Sequence, residues 1–374
     1  MQLSLLQENL NNALSHVSRF VSSKSQLPIL NNILFSTDNG RLKLSATNLD
    51  ISINYWIGAK IEKEGAVTVP SRELTEFISY LSPGKLDINV NENSLFTVKS
   101  DKIESSFASS LPQDYPQIPT IDSVSAFKID INLLLQSIDQ IIFATASDDT
   151  RPVLTAVLCR FSSDNITLVA TDGFRLSLKN IKLEHPINLK TDNQELTILI
   201  PAKTLNELNK IAKTETEITL GLTLDKNQLV FAGNDFEIVS RLIEGDYPNY
   251  QKIIPGSSSV TISLDKNEFL QNIKIASVFA RSSANVVKLN LKKDHLEISA
   301  NAPQVGQNKT TLDAKIVGDD LEIAFNYKFI SDFLSVAKGN EIQIELTQSL
   351  APGIFIDKSD PHFTHIIMPV RIQD

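Results

Sequence analysis

The chain has 374 residues, of which 42% are hydrophobic and 21% charged, and its formal net charge is -9. This length predicts two or three domains that can each bury a core. The acidic balance argues against a broadly basic nucleic-acid-binding protein, although it allows a basic surface in one place. The single cysteine, Cys159, cannot form an internal disulfide, and its apolar surroundings favour a small buried residue over a nucleophile.

The first segment, MQLSLLQENLNNAL, lacks the basic flank and apolar core of a secretory signal peptide. Apolar residues then recur with helical spacing at Leu10, Leu14 and Val17. This pattern predicts a first amphipathic helix over residues 7–20. No apolar stretch of the chain approaches the ~18 residues of a membrane span, so we expect no membrane partner. A single cysteine is typical of a reducing compartment.

A long internal repeat follows this helix. The segment LPILNNILFSTDNGRLKLSATNLDISI returns as RPVLTAVLCRFSSDNITLVATDGFRLSL, and a fainter third copy, ANVVKLNLKKDHLEISANAP, begins at Ala284. Pro28 matches Pro152 with an offset of 124. The same offset links Thr47 to Thr171. Apolar residues alternate with period two in these segments, which predicts antiparallel strands with one buried and one wet face.

A second repeated segment reads as a strand, a short break and an amphipathic helix. Its copies are GAVTVPSRELTEFISYL, LTILIPAKTLNELNKIA and LEIAFNYKFISDFLSVA. A Tyr-Pro phrase, LPQDYPQIP or IEGDYPNYQKIIP, follows the first two copies, whereas PHFTHIIMPVRIQD follows the third. Because proline fixes φ and removes a backbone donor, the phrase predicts an extended linker that closes one module and leads into the next.

Three modules result from these repeats, and we place them at residues 1–122, 123–255 and 256–374. Helices laid on one side of antiparallel sheets predict an α+β fold in each module. The spacing of apolar residues predicts two helices per module, at 7–20, 72–81, 130–142, 202–213, 265–281 and 327–338.

Patterns that carry chemistry are few. The sequence has neither a Gly-rich phosphate loop nor a Gly-x-Ser-x-Gly elbow. Asp172 and Gly173 form a pair typical of tight turns, and the counterpart of Asp172 in the first module is Asn48. His362 and His365 lack a carboxylate or cysteine cluster, so we favour solvated loop histidines over a metal site. We therefore expect a non-catalytic protein without metal or cofactor.

The predicted helices differ in charge from the rest of the chain. They contain ten basic residues against nine acidic ones, so the net negative charge lies elsewhere. Ordinary solvated helix faces are one explanation of this distribution. The other is a helix layer, less acidic than the remainder, that faces a polyanion.

In the order and spacing of its motifs and in its triple repeat, the chain resembles the β subunit of bacterial DNA polymerase III, the sliding clamp family. The likeness rests on LPILNNILF with LSATNLDISI, on VATDGFRLSL, on RLIEGDYPNYQKIIP and on IIMPVRI, and it spans essentially the whole chain. It implies three domains of one fold and a ring of two chains joined head to tail. Strands would form the outer wall, and twelve helices would line a hole for duplex DNA.

The resemblance also implies how such a protein works. Weak, mobile Lys and Arg contacts would let the ring slide on DNA, where strong ones would stall it. The implied partners are the replicative polymerase α subunit, the clamp loader, and repair polymerases and other proteins with clamp-binding peptides. Tethering them raises their local concentration at the template. We accordingly expect a cytoplasmic, nucleoid-associated homodimer that processes no substrate itself.

A surface groove for short peptides, with a glutamine and spaced hydrophobic residues, is implied as well. Leucine, valine and a flexible methionine would make an apolar pocket that adapts to different peptides. Phe174 stands where the family often has a smaller or polar ring, so we expect a different peptide preference. The residues carried over to the groove are Arg151, Val153, Leu154, Thr171, Gly173, Phe174, Arg175, Leu176, Pro248, Ile253, Phe329, Ile366, Met368, Pro369, Val370 and Arg371.

Contacts to DNA are implied at three basic positions, Lys24, Arg72 and Lys203. Basic side chains there would neutralise phosphates of the threaded duplex. Asp148, in the loop ASDDTRP, stands where a neutral polar residue is expected. Its charge argues against a close approach of DNA to that loop.

The joint between two chains is implied at apolar residues of the first and third modules. In the third module these are Val278 and Phe279. In the first module an apolar pair is expected just before LPQDYP, where KIESSFASSLP offers Phe107, with Ile103 as a second candidate.

Two other interpretations stay open on the sequence. One is an enzyme on a three-module, β-rich scaffold, with Asp172 or the pair His362 and His365 as its site. It predicts a metal- or substrate-dependent turnover that Asp172→Ala abolishes. The other is a β-rich adaptor that has the same groove but is not retained on DNA.

Overall fold

The structure, a computed structural model, describes most of the chain, namely residues 1–22, 27–91, 95–119, 126–187, 189, 195–223 and 227–371. In this part the chain is α+β, as predicted, and its sheets are antiparallel. No helix of the described residues is long and apolar enough to cross a membrane. The α-helices are α1 (Gln7–Val17), α2 (Ser71–Tyr80), α3 (Ile131–Ile141), α4 (Ala202–Ile211), α5 (Lys266–Ala280) and α6 (Tyr327–Val336).

Two compact units make up the chain, and the middle module contributes to both of them. The first unit comprises Met1–Asn132, Ile187–Lys190 and Lys203–Leu242. The second unit comprises Leu133–Pro186, Thr191–Ala202 and Ile243–Asp374.

The first unit contains a five-stranded and an eight-stranded sheet. The order of the smaller sheet is β5 (Lys60–Lys63), β1 (Gln2–Leu6), β7 (Lys85–Val90), β8 (Leu95–Ser100) and β9 (Ile103–Ala108). The order of the larger sheet is β10 (Phe127–Asp130), β15 (Glu217–Leu222), β16 (Gln228–Ala232), β17 (Phe236–Arg241), β4 (Ile51–Gly58), β3 (Arg41–Thr47), β2 (Asn32–Asp38) and β6 (Ala66–Pro70). Since β17 pairs with β4, strands of the first and middle modules share one sheet.

The second unit contains a nine-stranded and a four-stranded sheet. The order of the larger sheet is β14 (Leu196–Pro201), β11 (Ala156–Phe161), β12 (Asn165–Thr171), β13 (Arg175–Lys182), β26 (Phe363–Ile367), β25 (Gly353–Asp357), β24 (Glu341–Leu346), β18 (Val260–Asp265) and β22 (Lys315–Val317). The order of the smaller sheet is β21 (Gly306–Asp313), β20 (His295–Ala302), β19 (Val286–Lys292) and β23 (Leu321–Asn326). Pairing of β13 with β26 joins the middle and third modules in one sheet.

Helix α1 shows how the sequence pattern becomes packing. Leu10, Leu14 and Val17 are completely shielded from solvent. Positions three and four apart lie on one face of a helix, and this face contacts β3 and β4. Burial of each such side chain stabilises the fold by about 1.5–3 kcal/mol. The helix ends at Val17, earlier than predicted, and continues as one 3₁₀ turn, Ser18–Phe20.

The Tyr-Pro phrase anchors a module as well as linking it. Tyr115 donates its hydroxyl to the carbonyl of Ser45 at 3.2 Å. Tyr247 donates to the carbonyl of Val169 at 3.3 Å. The two acceptors are 124 residues apart, which is the offset of the repeat. Burial raises the pKa of both tyrosines, so both hydroxyls keep the proton that they donate.

Removal of the Tyr115 hydroxyl should destabilise the first unit. Tyr115→Phe loses the donor to the Ser45 carbonyl, and a hydrogen bond of this kind contributes about 1 kcal/mol. We expect a lower urea midpoint in the fluorescence of Trp56, the only tryptophan, which lies in β4. Tyr80→Phe, at a residue that is 79% exposed, is the matched control and should unfold like wild type. Equal midpoints for wild type and Tyr115→Phe would contradict the anchor.

Candidate partner-binding groove

An apolar cluster of the second unit forms the floor of the candidate groove. The ladder of β13 and β26 places Leu176 opposite Ile366, and each is only 1% exposed. Leu154 is buried as well. The buried members of the cluster are Ala156, Leu158, Val169, Leu176, Leu199, Tyr250, Ile354 and Ile366, and its partly buried members are Val153, Leu178, Ile243, Tyr247, Ile253, Ile254 and Ile356. The structure thus brings together Val153, Leu176, Ile253 and Ile366 from the predicted groove.

A tight turn between β12 and β13 borders this floor. Asp172 Oδ1 accepts the backbone N–H groups of Phe174 at 2.9 Å and of Arg175 at 3.0 Å. Thr171 Oγ1 accepts the N–H of Gly173 at 3.1 Å and donates to the Arg175 carbonyl. Asp172 therefore holds the turn, which the Asp-Gly pair predicted. Its carboxylate accepts backbone N–H groups and is not positioned to act as a catalytic acid or base.

Gly173 lets an arginine approach the turn closely. Its φ is +92°, and a Cβ at this position would lie 3.2 Å from Arg151 Nη1. Arg151 is exposed, and its Nη2 donates to the Asp172 carbonyl at 3.4 Å. A side chain at position 173 would thus be strained and would push the guanidinium away.

The segment that follows β26 runs beside the turn. The N–H of Met368 donates to the Phe174 carbonyl at 2.9 Å, and the N–H of Val370 donates to the Ala324 carbonyl at 2.8 Å. Phe174 is 61% exposed and Met368 is 38% exposed. An aromatic ring and a thioether therefore reach solvent from backbone positions that are hydrogen bonded to each other. Pro369 and Val370 are half-buried, whereas Arg371 is exposed.

Arg175 is surrounded by protein. Its guanidinium lies 4.5 Å from the Phe329 ring centre and 5.2 Å from that of Phe143. Nε pairs with Asp172 Oδ2 at 3.1 Å, Nη1 pairs with Asp332, and Nη2 donates to the Phe143 carbonyl at 2.5 Å. Only 11% of the side chain is exposed. Phe143 and Asp332 are not among the residues predicted from the sequence, because no motif marks contacts between residues so distant in the chain.

The Tyr-Pro phrase of the middle module packs against the same cluster. Gly245, two residues before its tyrosine, has φ +137°, and an added Cβ would lie 2.7 Å from Val153 Cγ1. Pro248 is exposed and Ile253 is partly buried. The phrase therefore brings exposed and half-buried apolar surface to the groove.

The prediction of solvated loop histidines is wrong for His365. This residue lies in β26, is completely buried, and shares a 2.7 Å hydrogen bond between its Nδ1 and Ser177 Oγ. Its ring stacks on Phe333. Burial, assisted by the charge of Arg175, lowers the pKa of His365 to about 3, so the ring is neutral near pH 7. The polar residues of PHFTH are typical of a loop, but the segment enters a strand whose alternate side chains point into the core. His362 is exposed.

Metal-ligating side chains are not clustered in the described part of the chain. No group of three or more His, Cys, Asp or Glu is placed there to hold an ion. Cys159 is buried, as predicted, and burial raises the pKa of its thiol.

The predicted DNA contacts are placed as follows. Arg72 and Lys203 are exposed, and both lie at the second position of a helix, α2 and α4 respectively. Lys24 lies outside the described residues. Asp148 is exposed, and its carboxylate accepts the N–H of Thr150 at 3.0 Å. Hydrogen bonds from Thr150 lower the pKa of Asp148, so the carboxylate keeps its charge.

The predicted joint residues lie on two apolar surfaces. In the first unit, Phe107 of β9 meets Phe77 of α2 edge-on, with 5.4 Å between ring centres. Ile103 of β9 is 47% exposed. In the second unit, Val278 of α5 is 52% exposed, and Phe279 is half-buried. Phe77 is not among the residues predicted from the sequence, because its spacing in EFISY indicates only an ordinary helix face.

Comparison with known proteins matches the whole chain to one family. Profiles of the DNA polymerase III beta subunit match its N-terminal domain at residues 1–119, its central domain at 128–249 and its C-terminal domain at 251–371. The beta sliding clamp of Bacillus subtilis is 31% identical over 382 residues, which cover 99% of this chain and 100% of the relative. The beta sliding clamp of Synechococcus elongatus is 29% identical over 381 residues, which cover 100% of both chains. The crystal structure of the Bacillus subtilis DNA polymerase sliding clamp is similar at a TM-score of 0.94 and 30% identity, over 100% of both chains.

Gly245→Ala tests how closely the Tyr-Pro phrase packs on the groove. Strain at φ +137° and the clash with Val153 should lower the free energy of unfolding by about 1–3 kcal/mol. We expect a lower transition temperature in differential scanning calorimetry. Gly256→Ala is the matched control, since its added Cβ would meet nothing within 4 Å. Identical transitions in the two variants would refute the close contact.

Proposed function

Because the chain belongs to the DNA polymerase III beta subunit family, we propose that it works as a ring that encircles duplex DNA and tethers partners through the groove. Membership makes it a non-catalytic processivity factor of DNA polymerase III, with DNA and the polymerase as partners. The observation that carries this conclusion is the match of three domain profiles, in sequence order, together with full-length relatives. The enzyme interpretation is thereby overturned, and Asp172 and His365 have structural contacts instead.

A head-to-tail dimer is the assembly that the apolar surfaces support. β9 lies at one edge of the five-stranded sheet and β21 at one edge of the four-stranded sheet. An edge strand presents backbone groups that can pair with another chain. Phe107 and Ile103 would meet Val278 and Phe279 of a second copy across this joint. Two different surfaces that close after two copies form a ring, whereas without closure they would form a filament.

The groove supports a short peptide with spaced hydrophobic side chains as the tethered element. Leu176 and Ile366 make an apolar floor, and the exposed Phe174 and Met368 can cover a ligand from the rim. Methionine adapts its shape to different ligands, which suits a site shared by several partners. Polymerase α subunit, clamp loader and repair polymerases would compete for it through such peptides. Tethering then keeps each partner at high local concentration beside the DNA.

DNA contacts at Arg72 and Lys203 are supported by their exposure on helices whose total charge is nearly balanced. Few and weak phosphate contacts permit sliding. We propose module boundaries at residues 1–122, 123–255 and 256–374; the third family model begins at residue 251, before the last of these boundaries. The boundary at 122 lies outside the described residues. Action on chromosomal DNA would place the protein in the cytoplasm, at the nucleoid.

Peptide binding is the first test of this function. A labelled peptide of the Gln-Leu-x-Leu-Phe type should bind wild type saturably, and Leu176→Ala with Met368→Ala should abolish binding because floor and rim are lost. Met368→Ala alone, at a partly exposed residue, should weaken binding while leaving the fold intact. Val317→Ala, at a valine that is 63% exposed in β22, at the edge of the nine-stranded sheet and four strands from β26, is the matched control. Fluorescence anisotropy measures binding, and circular dichroism checks the fold. Failure of the peptide to bind wild type would refute the groove.

Ring formation is tested at the joint. Val278→Glu places a charge on the apolar surface, and burial of an unpaired carboxylate costs several kcal/mol. We therefore expect the dissociation constant of the dimer, measured by analytical ultracentrifugation, to rise at least ~100-fold. Loader-dependent retention on circular DNA should be lost. Val317→Glu, at a valine that is 63% exposed in β22, is the matched control and should still dimerise. A wild type that is monomeric at micromolar concentration, or that binds peptide but is never retained on DNA, would favour the adaptor instead.

A further inference from the structure

The turn that borders the groove has a counterpart in the first unit, which provides an internal comparison. In the first unit, Asn48 Oδ1 accepts the N–H groups of Asp50 at 3.0 Å and of Ile51 at 2.9 Å. Asp172 accepts the equivalent pair in the second unit. The N–H of Arg241 donates to the Asp50 carbonyl at 2.8 Å, and the N–H of Met368 donates to the carbonyl of Phe174, the residue equivalent to Asp50, at 2.9 Å. The backbone hydrogen bonds are therefore the same at an offset of 124.

The last position of the two turns differs in kind. Arg175 occupies it in the second unit, whereas a buried isoleucine, Ile51, occupies it in the first. Since the turn forms with an apolar side chain at this position, the arginine is not required to build it. A buried cation is costly unless it is well paired, so its presence calls for another explanation.

The contacts of Arg175 suggest what that explanation is. The guanidinium joins three separate elements: the turn through Asp172, the chain after α3 through the Phe143 carbonyl, and α6 through Asp332. Its Cζ lies over the ring of Phe329, 4.5 Å from the ring centre, and Phe329 is also in α6. Arg175 immediately precedes Leu176 in β13, so the two side chains leave opposite faces of the strand. The Arg175 side chain therefore links the position of the Phe329 ring to the Asp172 turn that borders the floor.

We propose that Arg175 is a positioning residue, which holds the Phe329 ring as a wall of the groove and does not itself bind the peptide. This inference rests on the proposed function of the groove. The guanidinium has few donors left for a ligand, and little of it is exposed. A planar cation that stacks on a ring and donates in three directions cannot be replaced by lysine, whose charge is a point on a flexible stem. Peptides whose apolar side chain contacts Phe329 would be selected by this arrangement.

A double-mutant cycle on peptide affinity tests the proposal. The variants are Arg175→Lys, Phe329→Ala and the combination, and the probe is the labelled Gln-Leu-x-Leu-Phe peptide. We expect Arg175→Lys to weaken binding about tenfold in the wild-type background, because the ring loses its support. In the Phe329→Ala background the same change should have almost no effect, since the ring through which Arg175 acts is absent.

A second variant keeps the test independent of folding defects at Arg175. Asp332→Asn removes one partner of the guanidinium from the exposed side of α6 and should weaken binding several-fold. Asp320→Asn, which disrupts the exposed pair with Lys292, is the matched control and should not change binding. Circular dichroism confirms that each variant is folded.

The outcomes separate this proposal from the function on which it depends. If Arg175→Lys binds the peptide as tightly as wild type, charge alone suffices and the proposal is overturned. The proposed groove would still stand in that case, because wild type binds the peptide. An equal loss with and without the Phe329 ring would also overturn it, since Arg175 would then contact the peptide directly. Absence of binding by wild type would overturn both. If Arg175→Lys weakens peptide binding only in the background that keeps Phe329, the positioning role is established.

Discussion

The antiparallel ladder of β13 and β26 is the constraint on which the rest of the groove depends. It brings together Leu176 and Ile366, which are 190 residues apart in the sequence. Side chains alternate between the two faces of a strand, so a slip of one residue would turn both away from the floor. The same ladder delivers Met368 to the carbonyl of Phe174. Floor and rim are thus set by one register.

Repetition explains how much of this architecture could be predicted from the sequence. Each module repeats local patterns, so the helices and the alternating strands followed from spacing, and the turn at Asp172 followed from its Asp-Gly pair. Long-range contacts have no such signal. The partners of Arg175, Phe143 and Asp332, lie 32 and 157 residues away from it. His365 was misread because polar neighbours in a short strand look like a loop.

The two copies of the turn show that the backbone is shared while the chemistry is not. Gly173 in the second unit corresponds to Leu49 in the first, and both have positive φ, +92° and +78°. A leucine in the left-handed region costs roughly 1–2 kcal/mol, which glycine avoids. The hydrogen bonds of Asn48 and Asp172, rather than the glycine, therefore impose the conformation. Glycine at position 173 instead makes room for Arg151.

The distance between β13 and β26 along the chain has a consequence during synthesis. A ribosome adds ~5–20 residues per second, so β13 waits on the order of ten seconds or more for its partner strand. Until then β13 is an open sheet edge, and such edges invite pairing with other chains. A nascent chain that ends before β26 lacks Ile366, so the floor of the proposed groove is incomplete. If partner peptides bind there as proposed, their recruitment would be confined to chains whose translation has passed that strand.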